Sequence, residues 1–354
     1  MPLARSRLGI LYGLAAALLF GVSTPVAKRL LDSTTPHVLA GLLYLGAFLA
    51  LAATTPLRRR SAEAPLTAQD LPRLAGLVAA GGVAAPVLLL IGLERVSGAA
   101  GSLLLNLEGP FTLLLGVLVF GEHLRRRAGV AAVAVFAGAA VLTVEPGGGG
   151  SDATGTLCIA AACVLWAIDN NLTRSLTTRD PFAVARIKAG VAAATNLSLA
   201  AAIGADAPTT SVVAIALVVG ALSYGASIVL DAYALRTLGA AREAVLFATA
   251  PFVGAVLAVP VLSETLGGRE LLAGAAMAAG VSFVINERHD HLHTHEPMTH
   301  EHVHVHDEHH RHRHDSEPVF EPHSHMHAHE RLSHAHSHVS DVHHRHAHRR
   351  RPRA

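Results

Sequence analysis

Charge and aromatic rings are scarce in this chain. Charged residues make up 15% of its 354 positions and aromatic residues 4%, with one tryptophan, while apolar residues reach 51%. A soluble globule of this size needs far more charge to cover its surface, so that class is excluded. There are only two cysteines, Cys158 and Cys163, in one apolar stretch. Five helical rises separate them by about 7.5 Å along the axis, beyond ordinary disulfide reach, so both read as small core residues. The chain has no phosphate-binding glycine loop, no nucleophile–base arrangement and no soluble domain. These absences exclude ATP-driven pumping by this chain alone and leave an enzyme without support. Ahead of residue 287 the only histidines are His37 and His123, so the apolar part lacks a histidine relay for metal ions. The formal charge of +2 says little about partners, and no feature points to nucleic acid.

Long apolar runs are what the chain has instead. They approach the ~20 residues a helix needs to cross about 30 Å of hydrocarbon. Ten stretches qualify: 8–29, 36–55, 73–93, 98–120, 127–145, 154–173, 181–203, 211–234, 240–262 and 269–286. Small residues recur in them, as in the Gly9/Gly13 pair, and let helix backbones approach where lipid gives no hydrophobic drive. The N-terminal run resembles a secretory signal, but it aligns with an internal stretch near 154–172 and so reads as the first membrane helix.

That alignment belongs to a larger repeat. Residues 93–124 recur at 234–266, with Gly98-Ala99-Ala100 matching Gly239-Ala240-Ala241, Pro110-Phe111 matching Pro251-Phe252, and Glu122 matching Glu264. Residues 18–31 recur at 164–176, pairing Phe20 with Trp166 and Lys28 with Arg174. The units run 1–146 and 153–286, joined by a glycine-rich linker at 147–152 and followed by a polar tail at 287–354. Taken as cytoplasmic with the N-terminus inside, one set of loops holds thirteen basic residues: Arg5, Arg7, Arg58, Arg59, Arg60, Arg73, Arg125, Arg126, Arg127, Arg174, Arg179, Arg236 and Arg242. The other set holds four: Lys28, Arg29, Arg95 and Arg269. Positive charge stays inside, which places both termini in the cytoplasm of a multi-pass inner-membrane protein. Five spans per unit is an odd number, so the second unit must be inverted. The expected fold is an all-α membrane bundle of ten helices, and internal repeats in such a bundle point to a transporter with alternating access.

Ten spans, the inverted repeat, Gly21-x-x-x-Pro25 in the first helix, and a proline followed by a helix ending in Glu-x-Leu in each half are similar to the drug/metabolite transporter superfamily, EamA type. The likeness covers everything but the tail. It implies a secondary transporter of small solutes in which spans 1, 3, 4, 6, 8 and 9 line a central cavity and the fifth span of each half is peripheral.

Polar groups at membrane depth are costly and mark cavities or partners. In the sixth span, Trp166, Asp169 and Thr173 form a stripe; Asp169, Asn170 and Asn171 fan over about 200° and cannot all face one cavity, and Asn170 is taken with Asp169 and Trp166 as a substrate-binding candidate. Asp169 is either a cation or proton site, or an interfacial acid paired with Arg174 or Lys188. In the fourth span, Asn106 and Glu108 precede Gly109-Pro110, where a broken helix would offer backbone groups to a solute. Phe247 and Thr249 replace them in the second copy, so Glu108 is the leading coupling or substrate candidate; the alternative is a packing pair. Arg186 and Lys188 open the seventh span and either snorkel to the interface or, for Lys188, balance Asp169. Tyr224, Ser227 and Asp231 fall at i, i+3 and i+7 on one face of the eighth span, a stripe expected to line the cavity. Arg242 and Glu243 read as an interfacial pair, and Glu122 and Glu264 as structural or gate residues. The Asn-x-Ser/Thr matches at Asn171 and Asn196 lie inside spans and carry no meaning.

The tail holds 23 of the 25 histidines, most of them alternating with other residues. The blocks are His289, His291, His293 and His295; His300, His302, His304 and His306; His310, His312 and His314; His323, His325, His327 and His329; and His334, His336 and His338. Alternating positions of an extended chain share a face, and neutral imidazole suits Ni, Co, Cu and Zn. The tail therefore reads as a metal-binding, intrinsically disordered appendage, with a pH-responsive polyelectrolyte and a solubilising end as alternatives. No cofactor is required by the bundle.

The leading expectation is a transporter of a small organic solute, by proton coupling or exchange. The alternatives are a Ni/Co/Zn permease or exporter fed by the tail, and a membrane-anchored metal buffer or sensor. Substrate, direction and oligomeric state stay open.

Overall fold

Long apolar runs become long helices, interrupted where proline or paired glycines loosen them. The structure is a computed structural model that describes residues 2–57, 66–120, 126–143, 153–176, 179–238 and 240–285, and in the tail 290–295, 298–304, 323–329 and 332–337. In chain order the helices are α1 Pro2–Leu31, α2 Pro36–Thr54, α3 Leu71–Leu77, α4 Ala85–Arg95, α5 Gly98–Leu104, α6 Glu108–Phe120, α7 Arg126–Thr143, α8 Ala153–Arg174, α9 Pro181–Ala202, α10 Thr210–Val219, α11 Ser227–Leu238, α12 Ala240–Phe247, α13 Ala250–Leu262 and α14 Gly268–Ile285. A π-helical turn, Val78–Ala84, joins α3 to α4, and another, Gly220–Ala226, joins α10 to α11. A 3₁₀ turn at Leu105–Leu107 separates α5 from α6, and a turn at residues 248–249 separates α12 from α13. Both of those breaks lie just ahead of a proline, Pro110 or Pro251, whose missing N–H weakens the helical ladder there.

Seven helical runs among the described residues are long and apolar enough to cross a membrane: Arg7–Leu31, Pro36–Thr54, Ala68–Arg95, Gly98–Val119, Ala153–Thr173, Thr210–Leu235 and Glu243–Leu262, with Ala128–Thr143 as a shorter apolar helix. They coincide with eight of the ten expected stretches. The other two are occupied by α9, which carries Arg186 and Lys188, and by the short α14. Large side chains face outward from the bundle, Leu118 at 78% exposure and Val133 at 68% among them. On a membrane protein this apolar outer surface is the lipid contact.

Helix contacts fall into related sets. α2 packs on α9, α5 on α13, and α7 on α14. α1 packs on both α11 and α13, while α8 packs on both α4 and α6. The π turn 220–226 lies against α2, and the π turn 78–84 against α9. Glycines permit these approaches. A Cβ at Gly46 or Gly220 would run into backbone of the facing helix, and one at Gly92 would meet Ile159 and the Gly155 carbonyl. Leu90, Leu93, Leu104, Ile159 and Met277 fill the interior.

Short paired segments occur in the described parts of the tail. β1 Asp290–His295 pairs antiparallel with β4 Leu332–Ser337, and β2 Met298–His304 with β3 His323–His329. The physical reason is the alternation itself. A period of two is strand-like, and ladder hydrogen bonds satisfy the backbone where no core can.

Candidate functional site

The site forms where α8 meets the start of α6, after the break from α5, and the π turn after α3. Trp166, Asp169 and Asn170 fall within one turn of α8. Asp169 forms an ion pair with Lys188 of α9, the two side chains keeping 7% and 20% of their exposure. Charges that far out of water are tolerated only when paired. The second oxygen of Asp169, Oδ1, is buried without a hydrogen-bond partner.

The π turn supplies the floor. A π turn is wider than an α turn and is a frequent feature of functional sites. Here the Gly81 carbonyl accepts from Tyr44 Oη at 2.8 Å and from Trp166 Nε1 at 3.1 Å, and the Gly82 carbonyl accepts from Asn196 Nδ2 at 3.1 Å. Three helices are thereby fixed to two consecutive carbonyls. The Asp169 side chain lies directly against Gly81, leaving no room for a Cβ there. Gly81 is thus required by close approach rather than by backbone angle.

On the other side of α8, Asn170 Nδ2 donates to Glu108 Oε1 at 2.7 Å and lies 3.4 Å from Thr112 Oγ1. Asn171 Nδ2 reaches the Thr112 carbonyl at 3.3 Å and the Ala167 carbonyl at 2.8 Å. Glu108 also interacts electrostatically with Asp169 and Lys188. The cluster therefore holds two carboxyl groups, one ammonium and a set of amides, at the point where α6 begins. An aromatic wall adjoins it: Tyr44 stacks 5.7 Å from Tyr224, Tyr224 lies 5.8 Å from Phe20, and Phe20 lies 5.3 Å from Phe247.

Of the residues singled out in the sequence, Glu108, Trp166, Asp169, Asn170, Lys188 and Tyr224 come together. The remaining three do not. Asn106 points elsewhere, its Nδ2 bonded to the Leu103 carbonyl at 2.9 Å and 3.8 Å from Met277 Sδ. Ser227 ties α11 to α1 through the Ala16 carbonyl at 3.0 Å. Asp231 lies beside Glu243 of α12 instead, and its Oδ1 is buried without a hydrogen-bond partner among the described residues. Glu243 was expected to pair with Arg242; the Arg242 side chain lies outside the described residues. Tyr44, Gly81 and Asn196 are the members the sequence reading missed, and the Gly81-Gly82 doublet was the available signal.

At the far end of the bundle, Glu264 accepts from the Gly98 amide at 2.7 Å and from the Ala99 amide at 3.0 Å. It gets there because Ser263 ends α13 in the left-handed region at φ 56° and ψ 32°. Lys28 donates to the Leu93 carbonyl at 2.7 Å beside it. Glu122, its repeat mate, lies outside the described residues. Both cysteines are free. Among the described side chains, no cluster of three His, Cys, Asp or Glu is placed to hold a metal ion.

Known proteins bear on this arrangement in three ways. The model of the EamA-like transporter family matches twice, over residues 7–144 and 153–286. A protein of Methanothermobacter thermautotrophicus, described as an uncharacterized transporter, is 29% identical over 287 residues, covering 76% of this chain and 83% of that one. A solved crystal structure, described only as that of a protein, is similar at a TM-score of 0.59 and 19% identity, covering 78% of this chain and 98% of the other; it speaks to the fold alone. The two matches account for the repeated apolar units, and the chain belongs to the EamA-like transporter family: a multi-pass membrane transporter and not an enzyme.

Proposed function

We propose that the protein is a secondary transporter that moves a small organic solute by alternating access, driven by a proton or by exchange. The bundle is read as ten helices in two inverted five-helix halves. The twofold family match supports this, as do the paired contact sets and the π turns at 78–84 and 220–226, which sit at aligned positions of the repeat. Basic residues favour a cytoplasmic N-terminus and tail in the inner membrane. Residues 1–146 and 153–286 are the two halves, and the tail is an appendage that binds Ni, Co, Zn or Cu.

The observation that carries the reading is the buried Asp169–Lys188 pair beside Glu108–Asn170, held at the start of α6. With Asp169 and Glu108 ionised and Lys188 protonated, the cluster has one uncompensated negative charge. It is suited to a proton or to the amino group of a cationic or zwitterionic solute.

The test is flux. Proteoliposomes carrying a pH dye are challenged with a panel of amino acids, nucleosides and organic cations, using the wild type, Glu108→Gln and Asp169→Asn. The account expects at least one solute to move protons or exchange in the wild type and both variants to lose that coupling. Unchanged coupling in both variants would remove this cluster from the mechanism.

A further inference from the structure

The repeat matches α5 to α12 and α6 to α13, since Gly98 aligns with Gly239 and Pro110 with Pro251. A bundle alike at its two ends would therefore show two equivalent crossings, α5 on α13 at one end and α6 on α12 at the other. The first is formed and the second is not. α5 packs on α13, whereas α6 lies against α8 and α12 against α1 and α11, with no comparable α6–α12 interface among the described residues. Burial follows the same division. Every residue of α5 is buried. Among the described side chains of α6 only Gly116 is buried, and none of residues 243–247 in α12 is. Gly109, next to Glu108, is exposed, and a Cβ there would meet nothing within 4 Å.

The formed crossing is close and carries two charges. A Cβ on Gly254 of α13 would stand 2.8 Å from Ser102 Oγ of α5 and 2.9 Å from the Gly21 carbonyl of α1. The turn between α4 and α5 is gripped by α1 and by the end of α13. Lys28 donates to the Leu93 carbonyl near the end of α4, and Glu264 accepts from the Gly98 and Ala99 amides at the start of α5. Both side chains flank Gly98, where a Cβ would lie 3.4 Å from Glu264 Oε1 and 3.4 Å from Lys28 Cδ. The bonded amides and carbonyl are helix-end groups with no partner inside their own helices.

We propose that Glu264 and Lys28 form a latch that holds the bundle shut at the Glu264 end, and that this structure is the state closed there and open between α6 and α12. This rests on the alternating-access reading and adds to it a state and the residues that hold it. Solute passing between the Glu264 end and Glu108 requires α5 to part from α13, so the latch must break once in each cycle. It suits that task. Its backbone partners are end groups that water satisfies when the helices separate, and the small residues at the crossing re-pack without interlocking. At the opposite end, Arg179 with Asp70 and Arg186 with Thr55 tie the ends of α2 and α3 to the start of α9, and neither bond joins α6 to α12.

Cysteine labelling of the full chain in lipid nanodiscs tests the latch without any solute. On a Cys158→Ala/Cys163→Ala background, Ser102→Cys reports the latched crossing and Gly109→Cys the open end. Each is read as a rate of reaction with a water-soluble maleimide. With Glu264 intact, Gly109→Cys reacts fast and Ser102→Cys slowly. Glu264→Ala is expected to raise the Ser102→Cys rate roughly tenfold, as the loss of a cap allows, and to slow Gly109→Cys. Glu264→Gln keeps a neutral acceptor for the amides and shifts both rates less. The reciprocal change separates a latch from a merely structural cap, whose loss would loosen both positions. Faster labelling at both positions, no change at Ser102→Cys, or slow labelling of Gly109→Cys with Glu264 intact would each overturn the proposal. The readout does not use the Glu108–Asp169 cluster. Reciprocal rates alongside unchanged coupling in Glu108→Gln and Asp169→Asn would therefore sink the coupling reading and leave the latch standing.

Discussion

Neutralising one member of the Asp169–Lys188 pair exposes the cost of charge inside this bundle. Asp169→Asn leaves the Lys188 ammonium facing Glu108 alone, and Lys188→Met leaves the Asp169 carboxylate with no partner for either oxygen, since Oδ1 already has none. Breaking a fully buried pair costs about 3–5 kcal/mol. Lys188 keeps 20% of its side-chain exposure, and water reaching it trims the expected cost of either single variant to about 2–4 kcal/mol. Removing both charges together recovers most of the loss, because well-packed neutral replacements for a buried pair are often neutral to stability. The Cys163 thiol is buried in the native bundle, so its reaction with a thiol-reactive dye during heating or SDS titration follows unfolding. The double-mutant cycle then isolates the pair term. The reasoning fails if the single variants match the wild type in stability, or if the double variant is as unstable as the sum of the two.

Three further outcomes follow from the same geometry. Gly81→Ala forces Asp169 out of its contact and costs about 1–3 kcal/mol by overpacking, with a shift in the emission of Trp166, whose indole donates to the Gly81 carbonyl. Glu264→Ala removes two hydrogen bonds from the start of α5; a cost of about 0.5–2 kcal/mol is expected from such caps, together with faster maleimide labelling of Ser97→Cys. Asp231→Asn replaces one of two neighbouring carboxyls with a neutral amide of the same shape, so stability changes by no more than about 1 kcal/mol while the pH dependence of flux is altered.

Reading the sequence was enough to find the repeated unit and the apolar spans, and to name Lys188 as one of the partners open to Asp169, because each depends on composition and spacing alone. Asp169 and Lys188 are rare charges in apolar runs, and such charges seek each other. The misplacements have a common cause. Asn106 was set beside Glu108 by ideal α-helical angles, but the 3₁₀ turn Leu105–Leu107 winds the chain at fewer residues per turn and carries Asn106 toward α14. Likewise the stripe Tyr224–Ser227–Asp231 assumed an unbroken helix, whereas Tyr224 lies in the π turn Gly220–Ala226, set between Tyr44 of α2 and Phe20 of α1, and Ser227 bonds the Ala16 carbonyl of α1. Tyr44 and Asn196 escaped notice because they bind backbone carbonyls, which no side-chain pattern records. In the tail, alternation was legible, but the pairing of distant blocks was not.

The central claim is that solute binds beside Trp166, and the chain's single tryptophan makes that directly measurable. Intrinsic fluorescence of the purified protein would be titrated with a solute that the proteoliposomes carry, in the wild type, Asp169→Asn and Glu108→Gln. The account predicts a saturable change in the wild type and a loss of about tenfold or more in apparent affinity in both variants, at least about 1.4 kcal/mol. A carried solute that leaves Trp166 emission unchanged, or that binds both variants as it binds the wild type, would contradict it.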